Sequence, residues 1–266
     1  MLKEQKDWDD ISAKLGLTEG FIRENANKVN WYFISYYQKL SEEFIREFSD
    51  KVDWDCVSQQ QKISEDFIRE FSKKVNWYHI SIYQKLSEGF IQEFSDEINW
   101  YNISIYQKLS DGFIRAFLKK LYWQYIYRYQ KLSQEMIKEY NLEISEENWL
   151  YKDNEYKREY IKKNTSYEII GDKVIAYKAC RKDGYSVFNF QYLYEVGKEY
   201  EAHADYNIDN QDSFGLSAWT KKRALEYHSS GKLFKVEIDL EDIAAIVHDG
   251  NKIRASKIKI LEEISI

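Results

Sequence analysis

Histidine and cysteine carry much of protein chemistry, and here their spacing supplies none. The chain has four histidines, His79, His203, His228 and His248, and no two stand at the short intervals that let one helix or strand grip a metal. Cys56 and Cys180 are the only cysteines. They lie far apart without a partner at metal spacing, so they read as free thiols of a reducing compartment. A phosphate loop, an HExxH pair, a CxxC pair and a GxSxG elbow are all missing. No resident metal or cofactor is expected. What recurs at fixed spacing is contact chemistry: Gln38, Gln61, Gln84, Gln107 and Gln130, each followed by lysine, and a cluster of Tyr122, Gln124, Tyr125, Tyr127, Arg128 and Tyr129.

Those residues belong to a repeat. Trp8, Trp31, Trp54, Trp77, Trp100 and Trp123 follow one another at a constant interval of 23 residues, a period that marks an array of supersecondary units. Around each tryptophan the sequence is nearly the same, as in Asn76-Trp77-Tyr78-His79-Ile80-Ser81 and Asn99-Trp100-Tyr101-Asn102-Ile103-Ser104. Two short helices per repeat are predicted. Thr18, Ser41, Ser64, Ser87, Ser110 and Ser133 stand as caps before a Phe-Ile helix, and Asn30, Asp53, Asn76 and Asn99 before a Trp helix. Acidic residues such as Glu42 and Glu65 suit the first turn, and Phe44, Ile45, Phe48 and Val52 form one apolar stripe. Helices this short are marginal alone, so stacking into an α-solenoid must stabilise them. The tryptophan ladder is expected in its core. The terminal repeats depart from the pattern, with Leu15-Gly16-Leu17 in the first and Met136 and Tyr140 in the last, as end caps facing water do.

Two uses of the polar positions are open. The aligned Gln and Ser residues can bond the inter-helix turn of the next repeat, and recurrence in every repeat favours this over a binding strip. Positions that change from repeat to repeat, Phe33, Cys56, His79, Asn102 and Tyr125, suit partner contact better. With Arg128 and Tyr129, an aromatic and arginine patch of the kind that makes hot spots, the expected binding residues are His79, Asn102, Tyr125, Arg128 and Tyr129.

Beyond Trp149 the pattern changes. A polar connecting helix is predicted over 148–163, then strands over 174–179, 192–196 and 199–202. A further segment at 215–220 leads to a helix from Lys221 to about His228, with Thr220 as its cap. Residues 233–240 alternate strictly, 243–247 reads as a strand, and 252–261 as the last. The expected fold is therefore α plus α+β: a solenoid of about six two-helix repeats over 1–145, a linker over 146–168 and a small α+β domain over 169–266.

Composition narrows the partners. With 39 basic against 45 acidic residues, a net charge of −6 and a pI near 5.5, general nucleic-acid binding is disfavoured. The longest apolar run is too short to span a bilayer, and the opening Met-Leu-Lys-Glu-Gln-Lys is no signal core. A cytoplasmic protein without a membrane role is expected.

The repeat, Trp-x-x-Ile-Ser-x-x-Gln-Lys-Leu-Ser-Glu-x-Phe-Ile-x-x-Phe, resembles a unit found in proteins of bacteriophages and other large DNA viruses. Three pieces of the second half, 174–179, 194–200 and 254–262, resemble a small uncharacterised phage domain. The resemblance implies a viral or prophage origin and a site of action in the host cytoplasm, and no activity. Within 169–266 the order of basic strand, Gly215-Leu216-Ser217-Ala218-Trp219-Thr220, helix and alternating strand is also similar to the core of ADP-ribosyltransferase-like domains. That similarity implies Lys178 or Arg181 facing NAD phosphates, Ser217 beside the nicotinamide and Glu237 orienting the acceptor. Alternation nevertheless puts Glu237 on the polar face with Lys235 and Asp239. The function expected from the whole is binding of a host or viral protein, possible targets including a host defence factor. A virion or assembly component is the second reading, and an NAD-binding or NAD-using C-terminal domain the third.

Overall fold

A computed structural model describes residues 2–143, 148–187, 191–227 and 230–265. Among them lie fourteen α-helices, two short 3-10 helices and eight strands. Two compact units divide the chain: Met1–Ile103 with Asn189–Gln191, and Ser104–Phe188 with Tyr192–Ile266.

Each repeat contributes a Trp helix and a Phe helix. The Trp helices are α1 (Leu2–Ser12), α3 (Trp31–Tyr37), α5 (Trp54–Gln60), α7 (Trp77–Tyr83), α9 (Trp100–Tyr106) and α11 (Trp123–Tyr129). The Phe helices are α2 (Glu19–Glu24), α4 (Glu42–Glu47), α6 (Glu65–Glu70), α8 (Glu88–Glu93), α10 (Asp111–Ala116) and α12 (Gln134–Glu139). Caps fall where the residue types place them. Ser41, Ser64 and Ser87 accept from the amides of Phe44, Phe67 and Phe90. Asn30 and Asn76 each accept from two amides of the Trp helix that follows. In the sixth repeat Tyr122 takes that place and gives no side-chain cap.

In the first compact unit the deepest side chains are Ile34, Phe44, Ile45, Val57, Phe67, Ile68, Ile80, Phe90 and Ile91, all fully buried. The tryptophans differ from expectation: Trp31, Trp54 and Trp77 are half-buried. Each indole Nε1 donates to a carbonyl five residues earlier, of Ala26, Ser49 and Ser72 at 3.0 Å. Each ring lies 4.9 Å from the second phenylalanine of its repeat. An indole has a polar edge to satisfy, so it closes over the phenylalanine pair and does not sink beneath it.

The glutamines join one repeat to the one before. Gln61 Nε2 donates to the carbonyls of Ser35 and Gln38 at 2.8 Å each, and its Oε1 accepts from Leu40 N at 3.0 Å. Gln38 does the same for Ser12, Lys14 and Leu17, and Gln84 for Ser58, Gln61 and Ile63. The direction is the reverse of the one expected from sequence. Serine points forward: Ser35 Oγ accepts from Asp53 N at 3.0 Å, and Ser58 Oγ from Asn76 N at 2.9 Å. On the Phe helices Arg23, Arg46 and Arg69 pair with Glu47, Glu70 and Glu93 of the following repeat at 2.6, 2.7 and 2.9 Å. Each guanidinium also lies over a phenylalanine ring of that repeat, at 5.1 to 5.3 Å.

The second compact unit holds the last repeat helices and an antiparallel sheet. A 3-10 turn (Trp149–Tyr151) precedes α13 (Asn154–Asn164). The strands are β1 (Glu168–Ile170), β2 (Lys173–Cys180), β3 (Glu199–Glu201), β4 (Leu216–Trp219), β5 (Lys232–Asp239), β6 (Ile243–Val247), β7 (Lys252–Ala255) and β8 (Lys257–Ile264), with α14 (Lys221–Tyr227) after β4. Their order is β3-β8-β5-β2-β4-β7-β6, with β1 on β2. Val174, Ala176, Phe234, Val236, Ile238, Ala218, Ile253 and Ile260 share one core with Trp149 and Ile161.

Three expectations change here. Residues 192–196 form no strand, only an isolated bridge from Leu193 to Tyr185. The predicted last strand breaks at Ser256, whose amide and hydroxyl turn to Asp242. Thr220 accepts from Ala224 N at the start of α14 through its carbonyl, while its hydroxyl meets Asn251. The predicted helix end at His228 lies outside the described residues. Among the described residues no helix is long and apolar enough to cross a membrane.

Gln61→Leu strands two carbonyls and an amide in a buried turn, each costing about 1–3 kcal/mol when unsatisfied. We expect at least about 2 kcal/mol of lost stability in urea unfolding, against under about 1 kcal/mol for Arg46→Ala on the exposed ladder. Phe90→Ala should cost about 3–5 kcal/mol and Trp77→Ala less. The opposite order would refute the placement of the tryptophans as covers.

Candidate functional site

The tyrosine side of the Trp helices carries exposed aromatic rings. Tyr32, Tyr78 and Tyr101, each the residue after a repeat tryptophan, are 51, 53 and 41% exposed. On α3 the aromatics continue: Tyr32 stacks on Tyr36 at 6.1 Å, Tyr36 meets Tyr37 edge-on at 4.8 Å, and Phe33 lies 6.1 Å from Tyr37. Beyond them Lys39, Lys62 and Lys85 are exposed. The nearby carboxylates are engaged, Asp9 with Asn30 Nδ2 at 2.8 Å and Asp55 with Asn76 Nδ2 at 2.6 Å.

The residues expected to contact a partner divide. His79 is half-buried, with Nδ1 3.3 Å from the Asp55 carbonyl and its ring against Tyr78 and Tyr83. Asn102 is only 1% exposed, and its Nδ2 donates to the Tyr78 carbonyl at 3.3 Å. Cys56 is buried, and burial together with Asp53 pushes its thiol up to about 12. The varying position two residues past the tryptophan therefore meets the preceding Trp helix, and its variation tunes stacking. In the second compact unit Arg128 is exposed over the Tyr129 ring, and Tyr125 stacks on Tyr129 at 6.2 Å. Tyr129 itself is buried and already has a partner.

That partner is the chain's own loop. Phe214 lies 5.0 Å from Tyr106, 5.7 Å from Tyr129 and 5.4 Å from His203. Arg254, on β7, fixes the loop. It is wholly buried, ion-paired to equally buried Asp205 at 3.2 Å, and donates to the carbonyls of Asp205, Asn207 and Asn210. Asp205 in turn accepts from Asn207 N and Asn210 Nδ2 at 2.8 and 2.7 Å. Gly215 ends the loop at φ +125°, where a Cβ would stand 2.9 Å from that of Ala204, so a side chain is excluded. None of Arg254, Asp205 and Phe214 is signalled by spacing, because the contacts of Arg254 with the loop and of Phe214 with Tyr106 and Tyr129 span more than 40 residues.

The residues tied to NAD chemistry do not converge. Glu237 on β5 pairs with Ile175, and its carboxylate accepts from Lys173 Nζ at 2.5 Å. Ser217 on β4 pairs with Arg254. Extending the Tyr177–Trp219 register, Ser217 lies two strands across from Glu237 and four residues along, offsets of about 10 and about 13 Å. Arg181 is further along again, bound to Asp183 at 2.6 Å. Lys178 is buried, donating to the Ser217 carbonyl at 2.8 Å over the Tyr194 ring at 4.7 Å. The polar-face reading of Glu237 with Lys235 and Asp239 fits this geometry: Lys173 bridges Glu237 and Asp239, and Lys235 pairs with Glu262. Burial lifts the Cys180 thiol to about 11, which leaves it un-ionised at neutral pH. Burial pulls Lys157 down to about 8, with its ammonium held by the carbonyls of Leu240, Glu241 and Ile243. Among the described residues no three His, Cys, Asp or Glu side chains gather as a metal site.

His203 links the loop to acid. Its Nε2 is enclosed without a hydrogen-bond partner among the described residues. Burial first, and Lys108 after it, lower its pKa to about 4, against the Ile105 backbone contact and Asp205, which favour the cation. The unfolded chain takes up this proton near pH 6.5, so the stability from neutral His203 is whole above pH 6.5 and falls as pH drops towards 4. We expect a loss of up to about 1.4 kcal/mol per pH unit in that window. It should be absent from the pH dependence of His203→Phe, and parallel urea midpoints for both proteins would disprove it.

Compared with family models, with curated proteins and with solved structures, the chain finds no match.

Proposed function

We propose that the protein binds another protein through the tyrosine face of its Trp helices. The observation that carries this is the exposure of Tyr32, Tyr78 and Tyr101 at one repeat position. The Gln and Ser side chains described above are used inside the array, and the Arg–Glu pairs satisfy one another. Tyrosine offers a large amphipathic surface with little entropy to lose, and it is enriched where interfaces concentrate their energy. The resemblance of the repeat to units of phage and large-virus proteins supports a host or viral protein as the target.

Affinity capture from lysate of an expressing host, run beside a Tyr32→Ser/Tyr78→Ser/Tyr101→Ser variant, tests the reading. One stoichiometric protein held by the wild type and lost from an equally stable variant is the expected result. Particle proteins alone would move the function to virion assembly, and retention by the variant would move the site elsewhere.

A further inference from the structure

We propose that His203 and Phe214 form a clasp that acid opens, parting the 203–214 loop from Tyr106 and Tyr129 while both sides stay folded. Tyr106, Lys108, Tyr129, His203 and Phe214 all lie in the second compact unit. The loop is held differently on its two sides. Towards the sheet, Arg254 pairs with Asp205 at 3.2 Å and donates to the Asp205 and Asn207 carbonyls. Buried Lys252 pairs with Asp212 at 2.7 Å, and Asp205 N donates to the Phe214 carbonyl at 3.1 Å, which closes the loop on itself. None of these bonds involves the His203 ring. Towards the repeats the contact is aromatic: Phe214 meets Tyr106 and Tyr129 at 5.0 and 5.7 Å, and His203 stacks on Phe214 at 5.4 Å.

Acid acts at His203. Its Nε2 is enclosed and has no hydrogen-bond partner among the described residues. A proton added there becomes a buried donor and a buried charge without an acceptor, a costly state. The Phe214 face does not supply one, because the two rings are inclined by only 27° and an imidazole N–H lies in the plane of its ring. Of the charges acting on His203, Lys108 opposes the cation and Asp205 favours it, but Asp205 is committed to Arg254. The phenols of Tyr106 and Tyr129, which face Phe214, are uncharged in acid. When the contact parts, Nε2–H reaches water and the penalty is lifted, so protonation favours the open form. His203 titrates at about 4 when enclosed and near 6.5 when free. The open-to-closed ratio therefore rises by up to about tenfold per pH unit in that window, and by about 300-fold across it. Opening uncovers Phe214, Tyr106 and buried Tyr129 together.

Nuclear magnetic resonance of the full chain, with phenylalanine, histidine and tryptophan rings labelled, follows the clasp from pH 7 to pH 4. The Phe214 ring signals, assigned through Phe214→Leu, should move towards those of a solvent-exposed phenylalanine as His203 takes up its proton. The indole signals of Trp31, Trp54 and Trp77 and those of Phe234 in the sheet core should hold. In His203→Phe the Phe214 signals should stay in place over the whole range. Lys108→Gln alters an exposed side chain and keeps the fold. It removes a like charge, so the closed form bears the proton more easily and the rise of the open form should shrink several-fold. Phe214 signals that stay fixed down to pH 4, that move equally in His203→Phe, or that vanish together with the indole signals overturn the proposal. So does an undiminished response in Lys108→Gln.

Discussion

The repeat array depends on one side chain reaching backward. A helix of seven residues leaves most of its backbone groups at its ends, and a turn packed between neighbours has no water to satisfy them. Gln61 meets three such groups of the preceding repeat with one amide. The shape suits the task, since a primary amide has two donors and an acceptor on a stem long enough to cross the gap. Asn is too short, and Glu lacks the donors. The bond is local to each junction, so it can be copied indefinitely, and the register of 23 residues follows from it. Serine completes the junction from the other side by accepting the amide at the next cap.

Once the junction is polar and internal, the two outer faces are free to differ. The Phe-helix face is closed by arginine and glutamate one repeat apart. Such exposed pairs add little each, but the guanidinium also covers the phenylalanine below it. The sequence keeps the partners together even where it abandons them: Gln92 replaces the fourth arginine, and 24 residues on Ala116 replaces its glutamate. The Trp-helix face bears exposed tyrosine.

Much of the fold was legible because it rests on local rules. Period, caps and apolar stripe placed the repeat helices, alternation placed β5, and strand-like apolar runs placed β2 and β6. What stayed hidden had causes outside the hydrophobic pattern. The half-burial of the tryptophans is set by the need of an indole N–H for a carbonyl, which a hydrophobic pattern does not register. Asn102 varies like a surface residue yet is enclosed, because variation at a stacking contact looks the same as variation at a partner contact. The break at Ser256 depends on Asp242 across the sheet, and the seat of Phe214 depends on Arg254, a residue that reads in sequence as one more charge on a strand.

That arginine acts through the loop it holds. A buried ion pair such as Arg254 with Asp205 gives little net stability, since desolvation offsets most of the attraction. Its effect here is to hold a loop of Asn and Asp residues in one shape, with three carbonyls fixed to the guanidinium. The loop so fixed sets a phenylalanine against two repeat tyrosines. Had that contact been needed only to bury apolar area, an aliphatic loop without a buried charge would serve. A preorganised loop that offers one aromatic ring to a tyrosine pair is instead the form that recognition takes between separate proteins, where the cost of ordering is met before contact. Within the second compact unit the cost of ordering Phe214 is thus met by its own loop before the ring reaches Tyr106 and Tyr129.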